Sequence, residues 1–165
     1  MRRVMVNALG GPEQLIVQEV SDELRAGPGQ ILVDVGAAGV NYIDVYQRKG
    51  VVHGVPLPYT PGLEGVGRVR ELGEGVDNAA GALSTGRRVA WINVPGSYAD
   101  QMVVPAAQAI PVPDSFSTTQ ALLFHAITAQ YLVSEYRTVR PGDRVLVHAA
   151  QWVIRCRNRI SRIEQ

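Results

Sequence analysis

The residues best placed to do chemistry lie in one segment, Asn41-Tyr42-Ile43-Asp44-Val45-Tyr46-Gln47-Arg48-Lys49-Gly50, which combines amides, a carboxylate, two phenols and two cations. Such a segment can bind a ligand by hydrogen bonding and aromatic contact. It holds no nucleophile paired with a base, and no Ser/His/Asp or Cys/His arrangement stands out elsewhere. Each residue also has an ordinary structural use. Asn41 can hydrogen-bond its own turn, Asp44 can stabilise that turn, Tyr46 can be a core aromatic with its hydroxyl at the surface, and Thr128 can back-bond to the preceding helical turn. Glu64 is expected to pair with a nearby cation or backbone amide, not to act as a general acid. His53, His125 and His148 are too scattered for a metal site, and His125 on a buried helix reads as a core histidine. Cys156 is the only cysteine, which excludes an intramolecular disulfide and a multi-cysteine zinc cluster.

A second run, Gly62-Leu63-Glu64-Gly65-Val66-Gly67 with Gly73 and Val76 beyond it, carries glycines at a spacing that lets strands approach closely where a side chain would clash. The elements around these two runs are short strands. Ile31–Val35, Val66–Leu72, Arg88–Ile92, Tyr98–Val104 and Ala109–Val112 are rich in β-branched or aromatic residues, several with period-two alternation. Gly27-Pro28-Gly29, Pro56-Leu57-Pro58, Pro61-Gly62 and Pro95-Gly96 separate them as turns. That punctuation predicts a mainly β fold, a small barrel or sandwich. Asn78 to Thr85 is a loop of small residues and is read as a surface insertion.

After Pro113-Asp114 the period changes. Ser117 and Gln120 are spaced for a capping box, and Ala121 to Tyr136 runs without Gly or Pro, which predicts a helix apolar on nearly every face and buried on several sides. Pro141-Gly142-Asp143 predicts a turn, and Arg144 to Ala150 a buried strand. Residues 151–165 carry four Arg and one Glu, against a net charge of +1 for all 165 residues. They place Val153, Cys156, Ile160 and Ile163 on one helical stripe, a pattern short enough to arise by chance.

Near-neutral charge and 46% apolar residues fit a soluble globular protein of about one domain, not a nucleic-acid binder or a disordered tail. The N-terminus reaches Gly10-Gly11-Pro12 before any apolar signal region develops, and no run approaches a membrane span. A cytoplasmic setting is expected.

The glycine run, the Asn41 segment, Gly96-Ser97-Tyr98-Ala99 and the Pro141-Gly142-Asp143 strand entry occur in an order that resembles the medium-chain dehydrogenase/reductase family over Met1 to Ala150. Within it, Asn41, Asp44, Tyr46, Arg48 and Gly50 look like the zinc-free quinone oxidoreductase branch, similar to zeta-crystallin. The resemblance implies a GroES-like barrel as catalytic domain over 1–113. It further implies a connecting helix and the first strand of an incomplete Rossmann domain over 114–150, and a non-homologous basic tail over 151–165. In this family the reaction is hydride transfer from NADPH to a quinone or enone. Asn41, Tyr46 and Thr128 would then lie against the nicotinamide and its ribose, with Tyr46 also lining the quinone cleft. Zinc-dependent relatives carry His at the position of Leu63 and Cys near Asn41, so no metal is expected. No Gly follows Gly142, so the glycine turn that cradles a pyrophosphate is not expected after Ala150. The chain is therefore expected to be inactive by itself. The alternative expectation is a non-catalytic remnant or a module acting through protein contacts, with a homodimer as the simplest assembly.

Overall fold

The computed structural model describes residues 1–21, 23–76, 83–122 and 124–146. The chain forms two compact units, Met1–Leu122 and Leu123–Gln165.

The first unit is built from antiparallel strands. β1 (Arg2–Val6) and β2 (Leu15–Glu19) make a two-stranded sheet in which Val4 pairs with Val17. β3 (Gln30–Ala38), β4 (Glu64–Leu72), β5 (Arg88–Ile92), β6 (Gln101–Pro105) and β7 (Ile110–Pro111) make a five-stranded sheet of order β6-β3-β4-β5-β7. Bridges from Arg3 to Ala99 and from Val6 to Tyr59 tie β1 to the rest of the unit. The mainly β architecture expected from the sequence is thus present, with β3, β4 and β5 where the alternation put them. The last two strands are shorter than Tyr98–Val104 and Ala109–Val112 suggested.

Ile31, Val33, Val69, Val89, Trp91 and Val104 form the centre of the core, none more than 2% exposed. Removing such side chains from water is the main source of stability here, about 1.5–3 kcal/mol for each large one. Two glycines of β4 make that packing possible. A Cβ on Gly67 would collide with the carbonyl oxygen of Asp34, and one on Gly65 with the ring of Trp91. The β3–β4 ladder contains two irregularities, between Leu32 and Val33 and between Val35 and Ala37. Leu83 corrects the reading of Asn78 to Thr85 as a surface insertion only. Residues 78–82 lie outside the described residues, but Leu83 is 8% exposed and belongs to the core.

Between β3 and β4 the chain forms α1 (Tyr42–Arg48). Beyond β7, Ser117 and Gln120 exchange the two bonds of a capping box: Ser117 N–H donates to Gln120 Oε1 at 2.8 Å, and Gln120 N–H to Ser117 Oγ at 3.2 Å. The single helix expected over Ala121 to Tyr136 does not follow. A 3-10 turn spans Thr119–Ala121, and Leu122 is extended at φ −79°, ψ 122°. Burial of Ala121, 2% exposed, holds this turn to the first unit.

In the second unit α2 covers Phe124–Gln130 and continues as a π-helical stretch over Tyr131–Tyr136. Contrary to the expectation of burial, Ile127, Tyr131, Leu132, Val133 and Tyr136 are exposed, Tyr136 by 75%. The Pro141-Gly142-Asp143 turn is formed, with Asp143 N–H donating to the Arg140 carbonyl at 3.0 Å and Gly142 at φ +91°. Arg144 to Leu146 carry no strand hydrogen bonds and Leu146 is 79% exposed. A strand buried on both faces needs flanking strands to satisfy its backbone, and none is paired with these residues. The remainder of that expected strand, 147–150, and the basic tail, 151–165, lie outside the described residues, as do His148 and Cys156. Among the described residues no helix is long and apolar enough to cross a membrane.

Candidate functional site

Asn41 ends an extended segment, at φ −116°, ψ 151°, and is the N-cap of α1. Its backbone N–H donates to Asp44 Oδ2 at 2.9 Å, and Asp44 N–H donates to the Asn41 carbonyl at 3.0 Å. Thus the first turn is closed reciprocally and a carboxylate sits at the positive end of the helix, where it is favoured. This agrees with the turn-stabilising role expected for Asp44.

The same carboxylate has a second, distant donor. Tyr98 donates its hydroxyl to Asp44 Oδ2 at 2.8 Å. Asn41 in turn donates Nδ2–H to Glu64 Oε1, the first residue of β4, at 2.9 Å. A carboxylate can only accept from an amide, so the orientation of the Asn41 side chain is fixed chemically. Hence the partners of Glu64 include a side-chain amide, a kind of partner the sequence did not suggest for it. Gly39 makes room for this contact, since any Cβ there would collide with the Glu64 carboxylate.

Asn41, Asp44, Arg48 and Glu64 are all buried, at 3%, 6%, 6% and 2% exposure. Arg48 at the last turn donates Nη1–H to the carbonyl of Gly10 at 2.7 Å. Burial, the hydrogen bond to Asp44 and the charges of Asp44 and Glu64 together push the Tyr98 phenol far above its ordinary range. Tyr59 is also raised, chiefly by burial and secondly by the charge of Asp44, with Arg48 opposing.

The outer face of α1 is aromatic. Tyr42 and Tyr46, one helical turn apart, stand edge to face with ring centroids 4.9 Å apart and planes at 80°. They are exposed by 64% and 42%, so Tyr46 is not the core aromatic that its structural use would have made it. Asn41 and Tyr46 are therefore brought onto one short helix but onto opposite faces, one engaged inside and one open. Thr128 lies exposed on α2, in the second unit. Tyr98 and the Asn41–Glu64 bond were missed from sequence. The only available signal was the Gly96-Ser97-Tyr98-Ala99 motif, which marks the position but not its partner.

Two open grooves of about 480 and 370 Å³ lie in the first unit. The first runs past Asp34, Gly36, Arg68, Arg88 and Thr118; the second past Arg3, Val17, Ala37, Tyr98 and Asp100. Neither is lined by Asn41 or Tyr46, so α1 presents its rings on a surface and not inside either groove. Among the described residues no group of three His, Cys, Asp or Glu is arranged to hold a metal. Leu63 offers no donor atom, and the amide nitrogen of Asn41 is committed to Glu64.

Residues 27–114 match the family model described as the alcohol dehydrogenase GroES-like domain. The mouse synaptic vesicle membrane protein VAT-1 homolog is 36% identical over 154 residues, which is 91% of this chain and 37% of that protein. A quinone oxidoreductase of Pseudomonas aeruginosa is 32% identical over 152 residues, 90% of this chain and 45% of that one. The crystal structure of Escherichia coli quinone oxidoreductase complexed with NADPH superposes with a TM-score of 0.77 at 28% identity, covering 86% of this chain and 43% of that one. The chain thus spans less than half the length of the relatives it matches. Order of motifs, sheet architecture and these likenesses agree: the chain belongs to the alcohol dehydrogenase GroES-like domain family, among the quinone oxidoreductase relatives of the medium-chain dehydrogenase/reductases.

Proposed function

We propose that this chain is the substrate-side part of an NADPH-dependent reductase of quinones or similar enones that works without zinc. The observation that carries this is α1, which holds Tyr46 outward beside Tyr42 while a buried polar network grips the other face. In this reading Tyr46 forms a wall against both the flat quinone and the nicotinamide, and the Thr128 hydroxyl meets the nicotinamide ribose. Asn41, at 3% exposure, takes part in the cofactor site by capping the helix that carries Tyr46. NADPH would supply the hydride. A conjugated acceptor is already electrophilic, so the Lewis acid that a simple carbonyl or alcohol needs is dispensable, in keeping with Leu63. The division into a catalytic domain at 1–113, a connection at 114–150 and a tail at 151–165 belongs to the same proposal. So does a cytoplasmic location, supported by the single Cys156.

The test is binding, which does not require turnover. Tetramethyl-1,4-benzoquinone titrated into the 165-residue chain is expected to shift the Tyr46 ring signals saturably in aromatic NMR spectra, and Tyr46→Ala to abolish binding. A wild-type chain whose Tyr46 signals stay put at saturating quinone overturns the reading.

A second reading, a non-catalytic module acting through protein contacts, is favoured by one observation. Ile127, Tyr131, Leu132 and Val133 of the second unit are each about half exposed, and contiguous apolar surface promotes association. A homodimer is its simplest form, and light scattering that finds only monomer at high concentration would exclude that form.

A further inference from the structure

α1 is docked by directional bonds and not by an apolar stripe. A short helix normally sits on its partner through apolar residues repeating every three or four positions, a contact that tolerates small rolls and slides. Here the inward positions are Asn41, Asp44 and Arg48, and each is held by a bond from a different part of the fold. Glu64 at the start of β4 takes the Asn41 amide, Tyr98 in the loop before β6 donates to Asp44, and the Gly10 carbonyl after β1 accepts from Arg48. Hydrogen bonds weaken steeply as they bend, so three such anchors fix the roll and the height of a seven-residue helix. One residue of roll is about 100°, enough to take Tyr46 off the surface it now occupies.

Tyr98, like Glu64 in the paired strand β4, is itself held in place. Its ring fills the space left by Gly62, where a Cβ would stand 2.5 Å from Tyr98 Cδ1 and 3.1 Å from Ser97 Cβ. Tyr98 N–H donates to the Pro61 carbonyl at 3.0 Å. Its hydroxyl meets Asp44 Oδ2, the same oxygen that receives the Asn41 N–H, so one contact governs both the cap and the first turn of α1.

We infer that Tyr98 is a positioning residue for the Tyr42–Tyr46 surface: its hydroxyl, acting through Asp44, sets the roll of α1 and with it the place of Tyr46. The use of that surface for a quinone rests on the function proposed above. The setting of α1 by Tyr98 does not.

Tyr98→Phe removes the hydroxyl and leaves the ring beside Gly62. Hydrogen exchange of the 165-residue chain is expected to show the amides of residues 46–51 opening about tenfold faster in this variant, as loss of one bond to a carboxylate would give. Amides of β3, β4 and β5 are expected to keep their wild-type rates. In the same variant the dissociation constant for tetramethyl-1,4-benzoquinone should rise at least about fivefold. Unchanged exchange over 46–51 overturns the inference even where the quinone still binds. Equal acceleration across α1 and the strands also overturns it, because that is general destabilisation. A wild-type chain that binds no quinone at Tyr46 sinks the functional reading, and the exchange rates still decide the role of Tyr98.

Discussion

Trp91 donates its indole N–H to Ser97 Oγ at 2.8 Å, six residues on, with both residues at 1% exposure or less. The bond joins the centre of the core to the loop that carries Tyr98, and it satisfies a polar atom that no water reaches. Replacing Ser97 with Ala leaves that N–H buried and unpaired, which costs about 1–3 kcal/mol. Urea unfolding followed by far-ultraviolet circular dichroism should show a loss in this range with an unchanged slope. A loss below about 0.5 kcal/mol would mean that the indole finds another acceptor.

Gly67 and Gly36 lie on neighbouring strands but differ in the space they command. A Cβ at Gly67 runs into the backbone carbonyl of Asp34 and stands 2.6 Å from Val33 Cγ1, whereas one at Gly36 has nothing nearer than the Val66 carbonyl at 3.4 Å. Gly67→Ala is therefore expected to destabilise by about 1–3 kcal/mol, and Gly36→Ala to be neutral or to stabilise by up to about 1 kcal/mol. Equal effects in thermal unfolding of the two variants would contradict this account of the glycine run.

The phenols differ in when they lose their protons. Of the six tyrosines, Tyr98 and Tyr59 are raised above the ordinary value, both chiefly by burial. A group raised in the folded state binds its proton more tightly there than in the unfolded chain. Its contribution to stability is complete below the unfolded value near 10 and is lost as pH rises toward the folded value. Alkaline titration by ultraviolet absorbance should thus show fewer than six phenolates while the fold persists, the remainder appearing together with unfolding. Six phenolates at about pH 10.5–11 with the circular dichroism spectrum intact would refute the burial of this pair.

With NADPH and 1,4-benzoquinone, the 165-residue chain by itself is expected to give no turnover above the uncatalysed rate. It spans 45% of the Pseudomonas aeruginosa quinone oxidoreductase. Saturable turnover that disappears in Tyr46→Phe would show that the chain needs nothing more.

What was legible in the sequence was local. β3, β4 and β5 declare themselves by alternation and by glycines whose neighbours are strands, and the Ser117–Gln120 cap by its spacing. Ala121 to Tyr136 misled because a capping box promises a helix but cannot say what lies beyond it. Tertiary burial of Ala121 closes the turn there, and Leu122 turns extended. Around α1 the turn-stabilising use of Asp44 was legible, but the surroundings of Asn41, Asp44 and Tyr46 were not. Asn41 bonds Glu64 across 23 residues and Asp44 meets Tyr98 across 54, and no local pattern encodes a partner that far away. β2 escaped for a different reason, as Leu15, Ile16 and Val17 are all exposed and show no alternation.

The two irregularities of the β3–β4 ladder obey a parity rule. At the first, Arg70 of β4 is passed over as Leu32 pairs with Glu71 and Val33 with Val69; at the second, Gly36 of β3 is passed over as Val35 pairs with Gly67 and Ala37 with Val66. Each strand carries one supernumerary residue, so the second slip undoes the first. Because each extra residue is unpaired, its loss would not shift the register. Without Gly36, Val35 and Ala37 would still face Gly67 and Val66 as consecutive pairs, and without Arg70, Leu32 and Val33 would still face Glu71 and Val69. Each deletion straightens one bulge and leaves the other, so what is lost is the local bend and twist that the bulge gives the strand.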